Sequence, residues 1–287
     1  MPIAALPEIR PSVGELGQMR HPQWSQALPL RASVVDQQAA LAGAGCVTPG
    51  ATKATYGTGV FVLAHAGERP PPDTGGALLP TVAWQRDGEP PAYALDGGVF
   101  TAGALMDWLA RDLGLAADAA ALATLAETVP DAGGVCVLPA LAGLGAPHWR
   151  PEARAVVAGL SGASRPAHVA HAALDAIAQR VADIVEAMAD AGAAPDVLRV
   201  DGGLTQSPLL LQRQADLLGL PVQRGAIDAT VFGAVALAAV GAGLWPSIDA
   251  IVDHVGAGER IAPSLDAHAR LRERAAWTGF VERAATL

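Results

Sequence analysis

Lysine is almost missing from this chain: Lys53 is the sole one, and arginine supplies the rest of the 19 basic residues. That bias reads as a mark of GC-rich coding. Against 28 acidic residues the formal net charge is −9, and no Lys/Arg-rich stripe interrupts the balance. A polyanion held through its phosphates needs such a stripe, so nucleic acid is excluded as a principal partner. Cysteine is scarce too. Cys46 and Cys136 form no CxxC pair and no metal spacing, and two buried free thiols in a reducing cytoplasm are expected. The opening Met-Pro-Ile-Ala-Ala-Leu-Pro-Glu has neither a basic stretch nor a continuous apolar one, so no secretory leader is expected. No apolar run reaches the ~20 residues of a membrane span. The nearest, Ala229–Trp245, is mostly Ala, Val and Gly and reads as a buried helix. A cytoplasmic protein without a membrane partner follows from these absences.

What is present is a chain that folds. It is 51% apolar and 16% charged over 287 residues, enough for one large domain or two modest ones. Prolines at 2, 7, 11, 22 and 29 leave no room for a long helix in residues 1–31. A helix is predicted from Asp36. Strands are predicted at 81–84 and 92–95, around the Asp87-Gly88 turn. Leu105, Trp108, Leu109 and Leu113 have helical spacing, and an Ala-rich helix follows over 117–128. The 166–191 stretch predicts a long helix with Val169, Ala173, Ile177, Val181, Ile184 and Met188 on one face, Ser164 as cap and Pro166 in its first turn. From 198 the order strand, Gly-Gly, helix 207–218, strand, helix is a parallel α/β unit. An amphipathic helix with a solvated Arg/Glu face is predicted to close the chain, over 264–285.

Two stretches carry chemistry. In Asp36-Gln37-Gln38 a carboxylate and two amides stand where an Ala/Leu helix begins, and the positive helix end favours the carboxylate there. In Thr55-Tyr56-Gly57-Thr58-Gly59, two glycines around a hydroxyl let the backbone turn so that N–H groups and the Thr58 hydroxyl face a phosphate. Taken singly, the first is an ordinary cap and the second an ordinary hairpin. Neither the Gly-x4-Gly-Lys-Ser/Thr loop nor Gly-x-Gly-x-x-Gly occurs. Instead, glycine turns at Gly57/Gly59, Gly103 and Gly202/Gly203 each follow a strand, and in an α/β sheet such edges face one crevice. His148 in the Gly143–Trp149 loop has no evident partner and reads as structural. His168 and His171, at i and i+3, lack a third ligand, so no metal site is expected.

The run Asp-Gln-Gln-Ala-Ala-Leu followed by Thr-Tyr-Gly-Thr-Gly resembles the glycerol kinases within the FGGY carbohydrate kinases. Leu6–Ser12 and Gly143-Leu144-Gly145-Ala146-Pro147-His148-Trp149 resemble further stretches of that family. The likeness covers about residues 6–285, and only the family's second, C-terminal domain. It implies an actin/ribonuclease-H-like α/β fold, a mixed five-stranded sheet with helices on both faces. Residues 1–31 would be a linker or remnant of the first domain, and 32–287 the nucleotide-binding domain. It further implies ATP-dependent phosphorylation of glycerol, with Asp36 as general base, Asp36 and Gln37 on the glycerol hydroxyls and Phe61 over its carbons. Thr58 would meet the transferring phosphate, and Gly57, Gly103, Asp107, Gly203 and Ser207 would line the nucleotide site. Mg2+ would be held mainly by the first domain, whose Asp-x-Gly-Thr loop and Arg-Glu pair are not found here. A missing N-terminal kinase half is therefore an expected partner. An exposed apolar cleft face would promote homo-oligomers.

Three departures stand out against the family pattern. Val35 replaces a glycine beside the base and restricts the backbone there. Asp107 replaces a Gln and brings negative charge near phosphates. Ser207 replaces an Asn at the adenine edge. Two alternatives follow. One is another FGGY kinase of a longer polyol or ketose, which Tyr56 and Phe61 oppose by narrowing the alcohol pocket. The other is a degenerate, non-catalytic nucleotide-binding module.

Overall fold

The computed structural model describes residues 5–6, 8–225 and 228–287. Its centre is a seven-stranded mixed sheet. The strands in spatial order are β11 (Glu259–Ile261), β10 (Val222–Arg224), β9 (Leu198–Asp201), β3 (Thr52–Tyr56), β4 (Val60–Gly67), β6 (Ala92–Val99) and β5 (Leu79–Trp84). The expected sheet had five strands; the observed one has seven. The sheet goes beyond them because β5 and β11 add antiparallel edges, one by a hairpin with β6 and one by return of the chain to β10. β9 is parallel to both β3 and β10, while β3, β4 and β6 alternate. β6 thus runs the same way as β3 and β9, and the C-terminal ends of all three open on one edge.

Helices cover both faces of the sheet's centre. On one side lies α4 (Pro166–Asp190), buried nearly all round, with α3 (Ala119–Ala126) and α5 (Pro208–Leu218) packed on it. On the other lie α1 (Asp36–Gly43) and α6 (Ala229–Gly241). These two cross with their backbones touching. A Cβ on Gly43 would stand 1.9 Å from the Ala229 carbonyl oxygen, and one on Gly233 would stand 1.8 Å from that of Ala39. The apolar 229–245 run, expected to be a buried helix, is buried on one face only, with Val231, Val235 and Leu244 exposed, and no helix among the described residues is long and apolar enough to cross a membrane.

Within the opening segment, residues 1–4 and 7 lie outside the described residues, and the remainder includes β1 (Val13–Met19) paired with β2 (Leu28–Ala32). That hairpin rests on α6, with Val13 fully buried.

Several expectations needed correction. The Arg/Glu face of α7 (Ala267–Ala284) is only partly solvated. Arg274 is buried and donates to Asp183 Oδ1 at 2.7 Å and Glu186 Oε2 at 2.6 Å. Asp183 also accepts from Arg180 at 2.5 Å, Trp277 at 3.1 Å and His148 at 3.2 Å, so His148 has a partner and ties its loop to α4. Burial would raise the Asp183 carboxyl, but these donors hold it down at about 2. Ser164 does not cap α4. Its hydroxyl accepts from Ser161 N, and Arg165 occupies the cap position, its N–H donating to His168 Nδ1. His171 bonds the Ala126 carbonyl. Cys46 is buried, but Cys136 is exposed on β7 (Cys136–Leu138), a three-residue strand paired only with β8 (Val156–Ala158).

Candidate functional site

Three glycine turns meet at the C-terminal edge of the sheet. The β3–β4 hairpin turn, Gly57-Thr58-Gly59, is closed by Gly57 N–H to Gly59 O at 2.8 Å. The start of α2 (Gly103–Asp107) docks onto it, since Gly103 N–H donates to Gly57 O at 3.0 Å and Ala102 and Ala104 both donate to Thr58 O. A Cβ on Gly103 would stand 2.6 Å from that Gly57 oxygen. From the other side comes the turn after β9. Gly202 has φ +97°, and a Cβ there would be 2.4 Å from Tyr56 O, whereas a Cβ on Gly203 would meet nothing within 4 Å. Gly202 lets two backbones approach, and Gly203 leaves open space.

That space is a cavity of about 460 Å3. Gly57, Thr58, Gly103, Asp107, Gly203 and Ser207 all line it, so every residue expected at a nucleotide site is brought to one place. The volume falls in the range of small-molecule sites. The far wall is α3, through Ala120 and Thr124, with Glu127 just past its end, and Gln206 adds an amide. Sequence reasoning missed this wall because an Ala-rich helix carries no local signal of what it faces. Ser207 caps α5, accepting from Leu210 N at 3.3 Å, which leaves its hydroxyl hydrogen for a ligand. Asp107 lies within 3.7 Å of Arg111, an exposed pair of little energetic weight.

Asp36 and Gln37 lie elsewhere, over the opposite face of β3. Asp36 is the first residue of α1, not its cap. Val35 holds the cap position in an ordinary extended conformation, φ −69° and ψ 151°, so its side chain imposes no strain and the expected backbone restriction is absent. The Asp36 carboxylate is exposed and, among the described residues, accepts only from Gln37, from the backbone N–H at 2.8 Å and from Nε2 at 3.4 Å. Gln37 Oε1 in turn accepts from Lys53 Nζ, which also donates to Thr55 Oγ1 at 2.9 Å. Thr55 pairs directly across the ladder with Phe61, whose ring is 45% exposed on this same face. Asp36 is thereby joined to β3, and Thr58 sits two residues past the end of that strand.

Tyr56 does not belong to this corner. Its neighbours in β3 alternate faces, and its ring turns into the core beneath the cavity, its hydroxyl donating to Gln214 Oε1 at 2.6 Å. The expected narrowing of the alcohol pocket therefore rests on Phe61 alone. Lys53, Asp96 and Asp201 were not foreseen. Burial lowers Lys53 to about 8, against the opposing pull of Asp201 and Asp96. Burial raises both of those carboxyls, with Lys53 acting the other way. A lone lysine in an arginine-rich chain was the one available signal.

Residues 52–242 match the FGGY family of carbohydrate kinases, C-terminal domain. The chain is 44% identical over 288 residues to glycerol kinase of Halorhodospira halophila, covering 99% of this chain and 56% of that one. Among solved structures it is similar to Plasmodium falciparum glycerol kinase with ADP, at TM-score 0.90 and 30% identity over 98% of this chain and 57% of that one. It is also similar to xylulose kinase from Rhodospirillum rubrum, at TM-score 0.81 and 26% identity, covering 99% and 59%. The chain spans about half the length of the curated relatives it matches.

Proposed function

The chain belongs to the FGGY family of carbohydrate kinases, and we propose that it carries the nucleotide-binding half and the general base of a glycerol kinase. The observation that carries this reading is one strand with two chemistries. The turn at the end of β3 lines the 460 Å3 cavity, while its Lys53, itself bonded to Thr55, holds Gln37 and through it Asp36.

In this reading adenosine occupies the cavity, its base over the bare Gly203 and its phosphates toward Gly57 and Thr58. Glycerol lies against Phe61 with hydroxyls on Asp36 and Gln37. A glycerol hydroxyl has a high pKa, so a carboxylate must take its proton as the new O–P bond forms and the bond to the leaving ADP oxygen breaks. Asp36 suits that task. Both its oxygens accept from Gln37, and each keeps a lone pair for the substrate hydrogen. Mg2+ supplies charge neutralisation at phosphates when bound. In this reading it is held mainly by the family's first domain. Residues 32–287 are read as the nucleotide-binding domain, with 1–31 leading into it.

The likeness to xylulose kinase keeps a ketose in view as substrate, but Phe61 on the alcohol face favours a short polyol. The test supplies a glycerol-kinase first domain, in trans or by fusion. Glycerol turnover should appear, and Asp36→Asn should lower kcat by at least ~10²-fold with nucleotide affinity unchanged. Full turnover in Asp36→Asn would show that the base is elsewhere. ADP binding without turnover of any polyol or ketose would support the non-catalytic module instead.

A further inference from the structure

We propose that Lys53 is a positioning residue for the alcohol end of the site, fixing which way the Gln37 amide faces and through it how Asp36 is presented. The proposal rests on the glycerol-kinase reading for its functional consequence, but its structural core stands on this chain alone.

An ammonium has hydrogens and no lone pair. Lys53 Nζ sits 2.5 Å from one end of the Gln37 amide and 2.9 Å from Thr55 Oγ1. The end facing it must therefore be the oxygen, because a turned amide would set N–H against N–H. With Oε1 fixed on Lys53, Nε2 is directed at Asp36 Oδ2, 3.4 Å away, while the Gln37 backbone N–H holds Oδ1 at 2.8 Å. The orientation of the Asp36 carboxylate is thus set from below by a residue that never touches the substrate. Without the ammonium, only the long 3.4 Å bond to Asp36 Oδ2 favours this orientation, and the Gln37 amide is free to leave it, which would leave Asp36 one donor instead of two.

The position calls for lysine specifically. Every other basic site in the chain is arginine, yet here a fully enclosed side chain, 1% exposed, ends in a compact point charge rather than a planar fork. Titratable and charged groups surround it: Asp36 on α1, Cys46 after α1, Asp96 on β6, Asp201 and Arg199 on β9, and, lining the same cavity, Asp228 before α6 and His254. Cys46 is pushed up by burial to about 11 and stays a neutral thiol through the working range. Lys53 has a lowered pKa near 8, so its ammonium dominates below that pH and is lost as pH rises through it. The neutral amine can accept, the Gln37 amide is released, and alcohol affinity falls on the alkaline side.

A single lysine makes the test direct. In the full chain with 13C-labelled lysine, one side-chain Cε resonance reports Lys53, and the Gln37 side-chain amide is assigned by its loss in Gln37→Leu. The Gln37 amide should titrate with the same midpoint as Lys53, near pH 8, and that step should vanish in Lys53→Met. A Gln37 amide that stays flat while Lys53 titrates would overturn the proposal, and that result does not depend on Lys53→Met folding. In the enzyme completed with a first domain, Lys53→Met should raise KM for glycerol about tenfold, leave KM for ATP unchanged and remove the alkaline limb of kcat/KM for glycerol. An unchanged glycerol KM and pH profile would overturn it as well. If the completed wild type phosphorylates no polyol while the two resonances titrate together, the kinase reading fails and the positioning role stands.

Discussion

Replacing Gly202 and Gly203 one at a time by alanine should give opposite outcomes, although the two are adjacent and differ by the same methyl group. At Gly202, φ is +97°, a region that L-residues occupy at a cost of about 1–3 kcal/mol. The new Cβ would also fall 2.4, 2.7 and 2.9 Å from the oxygen, carbonyl carbon and nitrogen of Tyr56. These are main-chain atoms of the central strand, so they cannot swing away, and separating β9 from β3 adds roughly 1–3 kcal/mol of overpacking strain. The sum, about 2–6 kcal/mol, corresponds to a fall in Tm on the order of 3–10 °C for a chain of this size. At Gly203 nothing lies within 4 Å, so Tm should stay within about 2 °C of wild type. There the methyl projects into the cavity, and ATP or ADP affinity should weaken by roughly tenfold, the loss of one flat stacking surface. Differential scanning calorimetry and titration calorimetry on the same samples separate the two effects. Wild-type melting of Gly202→Ala would refute the close-approach account of this turn. Unchanged nucleotide binding by Gly203→Ala would show that no base lies over it.

Two further outcomes are expected. Asp107→Gln removes a negative charge from the cavity wall and should tighten ATP and ADP about two- to fivefold, by a margin that shrinks in 0.5 M salt, as calorimetry at two ionic strengths will show. Asp183→Ala leaves Arg180 and Arg274 buried without their shared carboxylate and should cost about 3–5 kcal/mol in urea unfolding. Because the native Asp183 pKa is lowered from 3.8 to about 2, its ionisation stabilises the fold above pH 4. That contribution, about 2 kcal/mol, fades as pH falls through 2, and Asp183→Asn should flatten this part of the acid limb.

The turns were legible because a glycine turn is a local backbone event, written in consecutive residues. Gly57, Gly103 and Gly203 could be placed at strand ends from sequence, and sheet topology then brought them to one cavity. The Asp36–Gln37 pair was legible as a motif for the same reason. What escaped was pairing across distance. Tyr56 meets Gln214, 158 residues on, so its ring could not be assigned to a face without knowing which helix lay beneath. Arg274 reads as one of many charges on a polar helix until α7 lays it against Asp183, 91 residues earlier. Lys53 reached Gln37 across only 16 residues, yet nothing in strand periodicity says what stands above a buried ammonium. Cys136 erred the other way, because a short strand outside the main sheet looks apolar in sequence but has no layer to cover it.

The α1–α6 crossing restricts how this part of the chain can vary. The atoms facing the absent Cβ of Gly43 and Gly233 belong to main chain, so no second substitution elsewhere can make room for a side chain at either position. Drift in this region is confined to the outward face of α6, where Val231 and Val235 are 63% and 61% exposed. The helix that presents Asp36 is thus locked to its neighbour by two positions that admit no alternative residue, while the surface a few ångströms away is free to change partners.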